Sequence, residues 1–85
     1  MAEKEIGLVT HYFGHIGVAG MKLSDSLSVG DTIHIVGHTT DLTETIQSIQ
    51  IEHETVETAA AGAEIGLKVT DHVREHDKVF KVVGG

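Results

Sequence analysis

Seven of the 85 residues are histidines, and their spacing is the first place to look for chemistry. His72 and His76 lie four apart and would share one face of a helix, where Asp77 could add an oxygen ligand to a metal ion. The run Asp71 to Asp77 is polar apart from Val73, however, and reads as a connection between strands rather than as a helix. His11 and His15 flank one connection and His34 and His38 flank the end of a strand, but the chain has no cysteine and no closed set of four ligands. No dedicated metal site and no cofactor are therefore expected. A histidine-based metal-binding protein is kept as an alternative. Catalytic signatures are also missing: there is no thiol nucleophile, no Gly-x-Ser-x-Gly elbow and no His-Glu-x-x-His pair. The chain is read as a binding module and not as an enzyme.

Recognition chemistry is better represented. Tyr12 and Phe13 are two of three aromatic residues and fall in what reads as the first connection, where exposed rings on a rigid scaffold can anchor a partner or stack on a base. At least one of them is expected to fill the core, which leaves His11, Tyr12, Phe13 and Lys22 as a candidate surface. Thr39 and Thr40, followed by Asp41, offer hydroxyls and a carboxylate to a polar ligand, although such residues equally satisfy the backbone of an ordinary turn. Arg74, the sole arginine, could grip a carboxylate or phosphate through its planar fork, with Glu75 and Asp77 as competing internal partners.

Period-two alternation supplies the elements that carry these residues. Glu5 to Thr10 and His15 to Leu23 read as a hairpin whose second strand, with Gly17 and Gly20, is strongly curved or bulged. Leu27 to Asp31 leads into a strand at Thr32 to Gly37, in which Ile33 and Ile35 share a face. The run Leu42 to Glu52 changes parity, because Ile46 is even while Ile49 and Ile51 are odd; a bulge or break near Gln47 and Ser48 is required to keep all three inward. Thr55 to Gly62 has the only marked helix propensity, enough for a turn ending on a glycine cap. Ala63, Ile65, Leu67 and Val69 alternate cleanly and predict a central strand, and Lys78 to Val83 the last one. Six or so strands in so short a chain predict an all-β fold, a small closed six-stranded barrel over residues 1–83, with Gly84-Gly85 as a flexible tail.

Composition bounds the partners. The formal charge of -7 opposes a phosphate backbone, so direct nucleic-acid binding is disfavoured and a protein or ribonucleoprotein partner is expected. Six acids and no base lie between Asp41 and Glu64, whereas Lys68, Arg74, Lys78 and Lys81 gather near the end. The absence of cysteine, of a signal-like start and of a long apolar run fits a cytoplasmic protein with no membrane association. Oligomeric state is not legible.

Several segments resemble the second domain of elongation factor Tu-type translational GTPases. They are Ile6-Gly7-Leu8-Val9, then Leu27-Ser28-Val29-Gly30-Asp31-Thr32-Ile33, Ala60-Ala61-Gly62-Ala63-Glu64-Ile65-Gly66-Leu67, and Val73-Arg74-Glu75-His76-Asp77-Lys78-Val79. Thr10-His11-Tyr12-Phe13-Gly14 and Gly37-His38-Thr39-Thr40-Asp41 are similar to stand-alone translation elongation factor-like proteins, and a related barrel closes some collagenase-like peptidases. The resemblance implies a six-stranded barrel. It does not imply GTP hydrolysis, since no Gly-x-x-x-x-Gly-Lys-Ser/Thr loop is present to cradle phosphates. The expectation is a non-catalytic adaptor docking on translation machinery or another protein; the alternative is an accessory barrel acting with a separate collagenase-like peptidase subunit.

Overall fold

Alternating burial marks several strands of the structure, a computed structural model that describes residues 2–83. The tail expectation for Gly84-Gly85 lies outside those residues. The first hairpin joins β1 (Ala2–Phe13) to β2 (Val18–Leu23), with Ile6, Val9, Ala19, Met21 and Leu23 pointing inward. Both strands run differently from expectation: β1 extends through Tyr12 and Phe13, and β2 begins only after Gly17, whose φ of 66° closes the turn. The register shifts between Val9 and His11, so that the extra residue, Thr10, lies on β1.

The chain continues through β3 (Leu27–Ser28), β4 (Thr32–Val36), β5 (Asp41–Thr45), β6 (Ile49–Ile51), β7 (Glu54–Val56), β8 (Thr58–Ala59), β9 (Glu64–Lys68) and β10 (Lys78–Val83). The break predicted near Gln47 and Ser48 is present between β5 and β6, and it brings Ile46 and Ile49 into the same core. The helical turn is absent: Thr55 to Gly62 forms β7, β8 and a tight turn instead, because each backbone segment there finds a strand partner. Burial of the sixteen core residues outweighs the local preference of three alanines.

Eight strands form one antiparallel sheet in the order β5-β4-β10-β1-β2-β9-β6-β7, and β3 pairs with β8. The all-β class holds; the closed six-stranded barrel does not. The terminal strands β5 and β7 are not paired with each other, so the sheet stays open. Where a further ladder would run between β5 and the end of β9, a side chain intervenes. Glu44 Oε1 accepts hydrogen bonds from the Thr70 amide at 2.5 Å and from Thr70 Oγ1 at 2.8 Å. β9 is central, as its alternation predicts, pairing with β2 on one side and β6 on the other. No helix is long and apolar enough to cross a membrane among the described residues.

Candidate polar groove and its surroundings

The connection from β9 to β10 would be a floppy polar loop were it not pinned at several points. Val73 is fully buried beneath it. Asp77, 5% exposed, accepts a hydrogen bond at Oδ2 from the Arg74 amide at 2.9 Å, and its own amide donates to the Arg74 carbonyl at 3.2 Å. Reciprocal backbone bonds of 2.8 Å, Val9 N to Asp77 O and His76 N to Val9 O, tie the loop to the bulged part of β1. His76 adopts a φ of 73°, and no helix forms, so the spacing that would align His72 with His76 has no structural meaning. Among the described residues no three His, Asp or Glu side chains are arranged to hold a metal ion. Asp77, a possible oxygen ligand from sequence, instead organises the loop.

This loop and the β4–β5 connection enclose a groove of about 480 Å³ lined by Thr39, Thr40, Asp41, Asp71, His72 and Arg74. Three sequence candidates, Thr39, Thr40 and Arg74, therefore meet here. Thr40 is almost buried, and its carbonyl accepts the Gly37 amide at 2.8 Å, which confirms its part in the turn. The expected pairing of Arg74 with its neighbours is not formed: Asp77 binds the Arg74 backbone, and Glu75 lies 3.7 Å from His11. Asp71 and Asp41, the latter already bonded to His34, face the Arg74 guanidinium and the two threonine hydroxyls across the groove, a mixed polar lining suited to amide or hydroxyl groups.

Tyr12 packs against the core and its ring meets His72 edge-on at 4.5 Å, so Tyr12 supports the rim of the groove from below. The other candidates lie elsewhere. His11 stacks on Phe13 at 4.3 Å between ring centres, and Phe13 is exposed; Lys22 stands on β2 across from Glu64. The proposed surface of His11, Tyr12, Phe13 and Lys22 is thus divided, because consecutive residues of β1 point to opposite faces.

A cluster that sequence reading did not assemble joins three strands. His34 on β4 reaches Glu3 of β1 through Nδ1 at 2.8 Å and Asp41 of β5 through Nε2 at 2.5 Å. The hydrogen bond to Asp41, then that to Glu3, raises the imidazole pKa above 6.5. Only imidazolium carries two N–H donors, so the neutral ring must leave one carboxylate unserved. With both nitrogens committed, His34 has none left to act as a general base. Its contribution to stability is complete below about pH 6.5, down to the range where the carboxylates protonate, and is lost as pH rises through the raised folded value. His34→Ala is expected to lower the melting temperature by a few degrees at pH 6, consistent with about 0.2–1 kcal/mol for each exposed pair. The deficit should narrow at pH 9 in thermal melts followed by circular dichroism; an equal deficit at both values would show that packing, not charge, is what His34 contributes.

Comparisons with known proteins correct the resemblance drawn from sequence. No family model matches the chain. An uncharacterized protease of Methanocaldococcus jannaschii is 42% identical over 77 residues, covering 89% of this chain and 19% of that protein. A collagenase of Porphyromonas gingivalis is 36% identical over 78 residues, covering 89% of this chain and 22% of that one. The chain thus spans about a fifth of the length of these curated relatives. Among solved structures, the C-terminal domain of a Geobacillus thermoleovorans protein described as a U32 peptidase superposes with a TM-score of 0.87 at 20% identity, over 94% of this chain and 93% of that domain. At that identity the likeness is one of fold. The sequence relatives are named as a protease and collagenases, and the elongation factor-like assignment is withdrawn on that finding.

Proposed function

We propose that the chain is a non-catalytic accessory β-domain of the collagenase-like peptidase type, acting with the catalytic portion of such a peptidase. The observation that carries this reading is the 42% identity across nearly the whole chain to one fifth of a protease. Peptide hydrolysis needs an activated nucleophile or water, and the inventory of the described residues argues for placing that chemistry elsewhere. There is no thiol, the best-oriented histidine is clamped between two carboxylates, and no three potential metal ligands converge. The polar groove, lined by hydroxyls and charges of both signs, offers hydrogen bonds to a protein surface or a peptide backbone.

The test uses the chain alone and with the Methanocaldococcus jannaschii protease from which the matching segment has been removed. The chain alone should leave gelatin and casein uncut, and it should bind the truncated protease in sedimentation velocity and restore its activity. Cleavage by the chain alone, or failure to associate with the truncated protease, would overturn the reading.

A further inference from the structure

Two glycines face each other across the outer surface of the sheet, Gly20 beside the β1 bulge and Gly66 on a regular ladder. Gly20 of β2 is the Cα partner of Gly66 of β9, and both fall on the outward phase of their strands. Neither has a positive φ. A Cβ added at Gly20 would meet nothing nearer than 3.6 Å, an ordinary contact, and at Gly66 only the Val18 Cγ1 atom at 3.3 Å. Strand glycines cost order and packing, and where neither conformation nor a backbone neighbour demands them they mark a place where something else approaches.

What surrounds this bare floor is an apolar groove of about 380 Å³. Phe13 and Ile16, 47% and 64% exposed, rise on one side. On the other stands the β6–β7 turn, whose residues Glu52 and His53 have φ values of 50° and 68°. A two-residue hairpin with both positions left-handed is ordinarily Asn-Gly, because side chains resist that geometry. Here the turn carries a carboxylate and an imidazole into the groove wall instead. Glu64 completes the lining and faces its cross-strand partner Lys22, whereas Glu52 stands at the turn with no lysine or arginine among the lining residues. The polar groove around Arg74 shares no residue with it.

From this juxtaposition we infer that the glycine-floored groove between Phe13, Ile16 and the Glu52-His53 turn is a docking site for an extended peptide segment of a partner protein. The segment places an aromatic or branched side chain over Gly20 and Gly66 and a neighbouring lysine or arginine against Glu52. The flat glycine pair gives a ring room to lie on the backbone, as aromatic residues do over glycine within sheets. Glu52 at the turn and the overall charge of -7 favour a cation and oppose a nucleic acid. This goes beyond the accessory-domain reading and does not require the peptidase to supply the segment.

The test is amide chemical-shift mapping on the whole 15N-labelled chain with three pools of hexapeptides, carrying a central Phe-Lys, Phe-Glu or Ala-Lys pair. The Phe-Lys pool should shift Ile16, Gly20 and Gly66, with at least tenfold weaker response to the other two pools. Gly20→Leu should fill the groove and abolish the response while the spectrum keeps its dispersion; Ile16→Ala, at a more exposed site, should weaken it severalfold. Undiminished binding by Gly20→Leu, or equal response to Phe-Lys and Phe-Glu, would overturn the proposal. So would stronger groove shifts from a single-stranded oligoribonucleotide, or shifts that grow with protein concentration alone and assign the groove to a second copy of the chain.

Discussion

Leu67→Ala is expected to cost about 2–5 kcal/mol and to lower the melting temperature by roughly 10–30 °C. Leu67 is 1% exposed on β9 and faces Ala19 of β2 and Ile49 of β6 as its register partners. Truncation therefore leaves a void where two halves of the sheet meet, and the small Ala19 opposite has no atoms with which to fill it. A domain of this size commonly has little more than 5 kcal/mol in all, so a measurable unfolded population at 37 °C is expected. Leu42→Ala supplies the contrast. Leu42 is only half-buried on the terminal strand β5, and its truncation should cost about 1 kcal/mol. Equal costs for the two in urea unfolding would mean that the core is not centred on β9.

Gly37→Ala should be among the most damaging single-methyl changes, at about 2–3 kcal/mol. A Cβ at this position would overlap the Asp77 carboxylate. That carboxylate cannot simply swing aside, since it is nearly buried and holds the Arg74 amide. Displacing it leaves the part-buried Arg74 amide unserved and frees the loop that presents His72 and Arg74 to the polar groove. The signature is non-additivity. In the Gly37→Ala, Asp77→Ala double variant the overlap is gone, so the combined cost should fall below the sum of the single costs by roughly 1 kcal/mol in a double-mutant cycle. Strict additivity would show that the two residues do not meet. Gly20→Ala, whose added methyl makes only ordinary contacts at 3.6 Å, should change stability by less than about 0.5 kcal/mol.

These two glycines show how far sequence reading reaches. Gly20 falls on the outward phase of an alternating strand, so its oddity was visible, though its partner Gly66 and the groove above them were not. Gly37 reads as an ordinary turn residue, and the group that requires it lies forty positions away at Asp77. The motifs behind the elongation factor resemblance fail for a related reason. Gly30 and Gly62 have φ values of 95° and 89°, so the Val-Gly-Asp and Ala-Gly segments record turns whose geometry calls for glycine, whatever the ancestry.

Local alternation, by itself, determined an all-β chain, the strands around Ile33 and Ile35 and around Ile65 and Leu67, the last strand at Lys78–Val83, and the break between Ile46 and Ile49. It could do so because side chains along a strand must alternate, and only one phase of each run is apolar. Tertiary structure alone decided that β10 would lie between β1 and β4, that the sheet would stay open with Glu44 bonded to Thr70, and that His34 would join Glu3 to Asp41. Those outcomes depend on which strand edges meet, and hydrogen-bonding edges are alike in every strand; only the packing of the whole chain distinguishes them.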